Sequence, residues 1–247
     1  QEKYAGVTVS MQSMNPDTLA AINRKNLATN DIKRIMELSE IHQIPTYSEL
    51  ILGLPCETKE SWIVGICELL ELGQHNSIDV WFAQLLENSE LSSIESRTKY
   101  GIISRQYSNY VNFEELEKYN SDGIVEKIEL IIGTNTMSTP DLIESYLYSW
   151  MIIQWHILGY SQIIAKYSRK ANNVLYRTFY DYLFEKIKND SHFGKHYDHL
   201  YTILKNSIDN QSTYSDLMVN AHTFHQYYDK EYYSKKDDIF NFVFKCA

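Results

Sequence analysis

The sequence predicts an α/β fold with parallel strands, followed by a mainly α-helical region. Three runs have the length and apolar pattern of strands, at residues 7–12, 46–54 and 78–86. Helical patterns lie between them, and strands that alternate with helices of about 10–15 residues are typical of parallel βαβ units. We therefore expect three parts: βα units over residues 1–91, a connecting segment over 92–133, and a mainly helical region over 134–247.

The first strand alternates with a period of two, which places successive side chains on opposite faces. One face carries Val7, Val9 and Met11, and the other carries Thr8, Ser10 and Gln12. Asn15 before Pro16 predicts a helix start, because an amide caps free N–H groups and proline needs no donor at the first helical position. We expect this short helix to end near residue 25, and a second helix to cover residues 29–42.

The second strand follows Pro45 and contains one carboxylate, Glu49. Its predicted faces are Tyr47, Glu49, Ile51 and Gly53 on one side and Ser48, Leu50 and Leu52 on the other. Thr58 is expected to cap the next helix, which should end before Gly73. The third strand is expected to place Val80 and Phe82 on one face and Asp79, Trp81 and Ala83 on the other.

The later residues carry weaker strand signals and stronger helical ones. An alternation at residues 126–133 is compatible with an isolated strand, and Pro140 is expected to open a long helix. Residues 145–165 contain no charged side chain, but polar residues such as Ser149 and His156 interrupt the run. Because each of these would need a partner in lipid, we expect a buried helix and no membrane span.

Composition narrows the possible partners. The formal charge of −9 and the lack of a basic cluster argue against non-specific nucleic-acid binding. Cys56, Cys67 and Cys246 are too widely spaced for a disulfide framework, which favours a cytoplasmic location. The chain does not begin with methionine, and we expect Gln1 to lie within a longer polypeptide.

Ligands of parallel α/β sheets bind at the carboxyl ends of the strands. The residues that end strands, or that face away from the helices, are Gln12, Glu49, Gly53, Trp81 and Ala83. A carboxylate in mid-strand is costly to bury without partners, which singles out Glu49. It either serves a ligand or pairs with a lysine or arginine of a neighbouring strand.

Histidines and tyrosines offer weaker candidates. His192, His196 and His199 have helical spacing that zinc could use, although the surrounding residues favour an exposed helix start. His222 and His225 call for the same interpretation. Tyrosine-rich stretches at residues 146–160 and 176–182 could line a cleft, but aromatic residues at helical spacing are more often part of a core.

Several short segments, taken together, resemble a known enzyme family. The segments are VTVSMQSMN at residues 7–15, INRK at 22–25, ELILGLP at 49–55 and LLENSEL at 85–91. In this order they resemble the second half of the catalytic barrel of radical S-adenosylmethionine (radical SAM) enzymes, in the branch with an upstream cobalamin-binding domain. The resemblance implies the C-terminal half of a parallel (β/α) partial TIM-like barrel followed by a mainly helical extension.

The family resemblance also implies cofactors. It implies reductive cleavage of S-adenosylmethionine by a 4Fe-4S iron–sulfur cluster, with cobalamin bound upstream, and methyl transfer or another radical reaction. Those cofactors supply the chemistry, while the protein binds and orients them. The implied S-adenosylmethionine-binding residues are Ser10, Gln12, Arg24, Glu49, Ile51, Gly53, Trp81 and Ala83. Arg24 would pair with the cofactor's carboxylate and Glu49 would accept hydrogen bonds near its ribose.

The sequence departs from the family pattern at two positions and lacks one motif. The CxxxCxxC motif that binds the cluster is absent, Cys56 stands where glycine is usual, and Glu87 replaces a proline. We therefore expect the fragment alone to be inactive and to need the upstream half of its own polypeptide; the substrate stays unassigned. The alternative function is a non-catalytic protein-interaction module on a degenerate barrel scaffold.

Overall fold

The computed structural model describes residues 6–108, 127–191, 193–209 and 236–246. Strands β1 (Val7–Thr8), β2 (Thr46–Leu52) and β3 (Ser77–Phe82) form a parallel sheet in the order β1-β2-β3. The sheet confirms the predicted parallel arrangement, although all three strands are shorter than predicted. Beyond β1 the chain touches the sheet again where Gln12 bridges to Leu50.

Three helices connect these strands: α1 (Pro16–Ala21), α2 (Thr29–Ile41) and α3 (Lys59–Glu71). The Asn15 side chain accepts a hydrogen bond from the Asp17 N–H at 3.0 Å, so the predicted cap is confirmed, but α1 ends earlier than expected. Thr58 caps α3 and forms a reciprocal capping box with Ser61. These two caps fix the starts of α1 and α3, whereas α2 begins without a side-chain cap.

The two faces of the parallel sheet differ in exposure, as the alternation predicts. The buried face packs against α3 and the later helices, and its apolar members are Val9, Met11, Leu50, Leu52, Val80 and Phe82. The opposite face carries Ser10, Tyr47 and Glu49 and leaves Trp81 39% exposed. Tyr47, Glu49 and Asp79 of this second face are half-buried and Ser10 is exposed, and we call it the open face.

The third predicted strand is not continuous, and this corrects the expectation for residues 78–86. The chain leaves the parallel sheet after Phe82 and enters β4 (Gln84–Leu85), which belongs to a second, antiparallel sheet. That sheet has the order β4-β6-β5, with β5 (Ile103–Ser108) and β6 (Lys127–Gly133). The strand near residues 126–133 is therefore the central strand of a sheet and not an isolated one.

The remaining helices follow the parallel sheet in the sequence, and those after the first of them pack together against α3 and the buried face of the sheet as a helical layer. They are α4 (Ile94–Tyr100), which precedes β5, and then α5 (Thr139–Ile152), α6 (Gln162–Asn172), α7 (Tyr176–Asn189), α8 (Phe193–Asp209) and α9 (Lys236–Cys246). The uncharged run does not form one long helix, because α5 passes into a π-helical turn at Ile153–Ile157 and the chain turns at Gly159 before α6. Ser145 and Ser149 are fully buried in α5, and among the described residues no helix is long and apolar enough to cross a membrane.

Candidate functional site

Four polar side chains from three consecutive segments meet on the open face, and we call them the open-face cluster: Ser10, Tyr47, Glu49 and Asp79. The Ser10 hydroxyl donates to Glu49 Oε2 at 2.9 Å. The Tyr47 hydroxyl lies 2.9 Å from Glu49 Oε1 and 2.9 Å from Asp79 Oδ2. Glu49 and Asp79 stand opposite each other in the register of β2 and β3, so one tyrosine bridges two adjacent carboxylates.

The open-face cluster is rich in acceptors and poor in positive charge. Among the residues that the structure describes, neither Glu49 nor Asp79 forms an ion pair. The pairing of Glu49 with a lysine or arginine of a neighbouring strand is thus not observed in this part of the chain. Burial, together with the carboxylates of Glu49 and Asp79, raises the pKa of Tyr47 well above its ordinary value, so its hydroxyl remains a donor.

Gln12 and Arg24 form a second polar pair beside the cluster. The backbone N–H groups of Met11 and Gln12 both point to the Glu49 carbonyl, at 3.2 and 3.3 Å, which makes a local bulge. Gln12 has a φ of 57°, an uncommon conformation for a residue other than glycine. An Arg24 Nη donates to Gln12 Oε1 at 2.8 Å, and its guanidinium forms no ion pair within the described ranges.

The other predicted cofactor residues are placed differently. Trp81 lies on the open face, next to half-buried Ile51 in the strand register. Ala83 is only 2% exposed, and it packs with Ile131 in a small second core that Ile51 also touches. A Cβ on Gly53, whose φ is +95°, would lie 3.3 Å from the Leu142 side chain. Gly53 and Ala83 are therefore covered by protein, and only the other six predicted residues remain open or half-open.

The loop after β2 explains one departure from the family pattern. Cys56 adopts a φ of 63°, in the left-handed region that favours glycine. The next residue, Glu57, is fully buried and accepts hydrogen bonds from the hydroxyls of Ser13 and Ser61, the latter at 2.5 Å. These bonds hold the end of the first strand segment, the loop and the start of α3 together.

A cleft of about 360 Å³ lies beyond the carboxyl ends of β2 and β3. Leu54 and Leu86 line one wall, and residues of α4, including Lys99 and Tyr100, line the other. Arg97 anchors α4 to β6 through two bonds to the Glu129 carboxylate, at 2.7 and 2.6 Å. This is the edge at which parallel α/β sheets bind ligands.

The predicted metal candidates find no support in the described part of the chain. His192, His222 and His225 lie outside the described residues. Within the described residues, no group of three or more histidine, cysteine, aspartate or glutamate side chains could hold a metal ion. Tyr176 and Tyr180 are core residues at 5% and 0% exposure, as helical spacing suggests. The tyrosine of the open face is Tyr47, which the strand alternation places on the same face as Glu49.

A second polar group, which the sequence did not predict, lies inside the helical layer. It is a row of four hydrogen-bonded side chains that we call the internal chain: His75, His156, Tyr180 and Ser161. His156 lies in the π-helical turn, with Nε2 2.9 Å from His75 Nδ1 and Nδ1 2.5 Å from the Tyr180 hydroxyl. Ser161 lies 3.0 Å from that hydroxyl. Burial lowers the pKa of His75 to about 4 and that of His156 to about 3, so both rings are neutral in the folded protein.

Two curated proteins are similar to this chain. A 2-(S-pantetheinyl)-carbapenam-3-carboxylate methyltransferase from Streptantibioticus cattleyicolor is 32% identical over 178 residues, which is 72% of this chain and 26% of that protein. The cobalamin-dependent radical SAM methyltransferase TokK from Streptomyces tokunonensis is 32% identical over 176 residues, or 71% and 25%. The chain is related to the cobalamin-dependent radical SAM methyltransferases. This confirms the predicted resemblance.

The relationship covers only part of those proteins. The chain spans about a quarter of the length of the curated relatives it matches. No protein-family model matches the chain. The similarity therefore does not extend to the whole length of these enzymes, and their activity is not assigned to this chain.

Proposed function

We propose that this chain contributes the S-adenosylmethionine-binding half of a partial TIM-like barrel in a cobalamin-dependent radical SAM enzyme, most simply a methyltransferase. The observation that carries the proposal is the open-face cluster, in which Glu49 accepts bonds from Ser10 and Tyr47 and forms no ion pair with the described residues. It combines with the similarity to two methyltransferases, one of which is named as cobalamin-dependent and radical SAM.

The residues on the open face fit S-adenosylmethionine chemically. A carboxylate retains lone pairs beyond the two bonds seen at Glu49, and it can accept from the hydroxyls of a ribose. The guanidinium of Arg24 has further donors after its bond to Gln12, and its planar shape suits a carboxylate. Trp81 offers an exposed aromatic ring on the same face as Glu49. We assign these three residues to binding and orientation of the cofactor, with Ser10, Gln12 and Ile51 beside them, and Gly53 and Ala83 supporting the site from beneath.

The iron–sulfur cluster does not fit the described residues of this chain. Cys67 is buried with its pKa raised to about 12 by desolvation, and Cys56 lies in a loop, so the two do not form the expected set of thiolates. We propose that the cluster and cobalamin are held by the upstream half of the same polypeptide. The edge strand β1, where Val7 is 36% exposed, is a natural place for that half to pair. Reductive cleavage of S-adenosylmethionine is the chemistry that the bound cofactors would supply.

A binding experiment tests the proposal directly. In the protein expressed with its upstream sequence and a reconstituted cluster, Glu49→Ala and Arg24→Ala should each weaken S-adenosylmethionine binding by about tenfold, the usual scale for a lost bond to a charged group. Equilibrium dialysis with labelled S-adenosylmethionine measures the dissociation constants.

Arg105→Ala is a matched control for the arginine change. Arg105 lies on β5, where its guanidinium donates to the Asp209 carbonyl at 2.7 Å and does not touch the open face. Its loss should leave the affinity unchanged. An unchanged affinity in both Glu49→Ala and Arg24→Ala would refute the site.

A further inference from the structure

Tyr47 occupies a position that nothing in the family resemblance assigns. It precedes Glu49 by two residues in β2, so the two side chains share a face. Its hydroxyl lies at equal distance, 2.9 Å, from the Glu49 and Asp79 carboxylates. One hydroxyl has one proton, so it donates to one carboxylate at a time and lies between both.

The Tyr47 hydroxyl lies where two carboxylates of like charge face each other. Like charges directly opposite each other on neighbouring strands repel, and Glu49 is opposite Asp79. Without a donor between them, the longer Glu49 side chain would be free to turn away from Asp79. The Ser10 hydroxyl holds only Glu49 Oε2, and Tyr47 holds Oε1. While Tyr47 donates to Glu49, both oxygens of that carboxylate are held before any ligand arrives, which lowers the entropy lost on binding.

We propose that Tyr47 is a positioning residue whose hydroxyl donates to Glu49 and fixes its carboxylate for the ribose end of S-adenosylmethionine, with Asp79 as the alternative acceptor of the same proton. The inference rests on the proposed function, because it requires Glu49 to contact the cofactor. Tyr47 itself acts through Glu49 and does not touch the ligand. Its effect on binding therefore depends on whether Glu49 is present.

A double-mutant cycle measures this dependence. In the full-length reconstituted protein, Tyr47→Phe should weaken S-adenosylmethionine binding by about fivefold to tenfold, since it removes one hydrogen bond to a charged group. In a Glu49→Ala background, the same Tyr47→Phe change should alter the dissociation constant by less than about twofold. A general structural effect would instead be additive in the two backgrounds.

Tyr148→Phe provides a matched control. Its hydroxyl also donates to a carboxylate, Asp181, at 3.0 Å, but it lies in the helical layer. The control should leave S-adenosylmethionine affinity unchanged in both backgrounds.

The outcomes separate the two proposals. If Glu49→Ala weakens binding and Tyr47→Phe does not, or if the two effects add, the positioning role is overturned and the proposed function stands. If Glu49→Ala has no effect on binding, the role of Tyr47 falls, and the proposed function falls with it when Arg24→Ala is also without effect.

Discussion

The open-face cluster and the internal chain are both built around one tyrosine, yet they differ in what surrounds them. Tyr47 is half-buried and lies between two carboxylates on the open face. Tyr180 is fully buried and joins neutral His156 to Ser161 within the core. The internal chain satisfies its own hydrogen bonds, whereas the open-face cluster has acceptors left over. From this comparison we infer that the internal chain stabilises the fold, and we propose that the open-face cluster is kept for a ligand.

The largest expected contrast concerns two tryptophans. Trp155 is 1% exposed and its ring centroid lies 5.4 Å from that of Phe193, whereas Trp81 is 39% exposed on the open face. Trp155→Ala should lower the free energy of unfolding by about 3–5 kcal/mol because it leaves a cavity. Trp81→Ala should change it by less than about 1 kcal/mol. Urea unfolding followed by circular dichroism gives both values, and equal losses would break the comparison.

The next contrast removes one hydroxyl from each tyrosine. Tyr180→Phe leaves the buried Nδ1 of His156 without a partner, which should cost about 2–3 kcal/mol of unfolding free energy. Tyr47→Phe should cost less than about 1 kcal/mol, because water reaches the half-buried carboxylate of Glu49. The same urea titration applies. A larger loss for Tyr47→Phe would mean that the open-face cluster is itself a main source of stability.

The last contrast is a pH dependence of the free energy of unfolding that the internal chain should show. The pKa of His75 is lowered to about 4 and that of His156 to about 3, so between about pH 4 and the ordinary histidine pKa of about 6.5 the unfolded chain binds more protons. The free energy of unfolding should therefore rise with pH across this window, by up to about 1.4 kcal/mol per pH unit for each proton, and level off above it.

Variants assign that slope to the histidines. His75→Gln should reduce the slope of the free energy of unfolding against pH between about pH 4.5 and 6.5, the range just below the ordinary histidine pKa. His42→Gln, which changes an exposed histidine at the end of α2, should leave it unchanged. Thermal unfolding in matched buffers measures the slopes. An equal slope in wild type and His75→Gln would show that the lowered pKa values do not govern acid stability.

Local patterns were sufficient to predict the parallel sheet and its two faces. Strand alternation placed Tyr47 and Glu49 together, and Asn15 with Pro16 marked the start of α1, because caps and periodicity act over a few residues. The second sheet was missed because β4 pairs with β6 across more than 40 residues of sequence, with Leu85 opposite Glu129. Nothing in the segment near residue 84 records that distant partner.

The candidate site was predicted in part for the same reason. Glu49 stood out because a single carboxylate interrupts an apolar strand. Asp79 is its neighbour only through the register of β2 and β3, which the sequence does not encode locally. Gly53 and Ala83 were expected among the residues that end strands or face away from the helices, but Ile131 and Leu142, far along the chain, pack against them.

Ala83 is the residue at which the two sheets share a backbone. Its N–H donates to the Leu52 carbonyl at 2.8 Å in the parallel sheet, and its carbonyl accepts from Ile131 at 2.9 Å in the antiparallel one. A residue bonded on both sides cannot serve as a hinge. Rotation of one sheet against the other at this residue would break one of the two hydrogen bonds, and we therefore expect the angle between the sheets to be the same with and without a ligand.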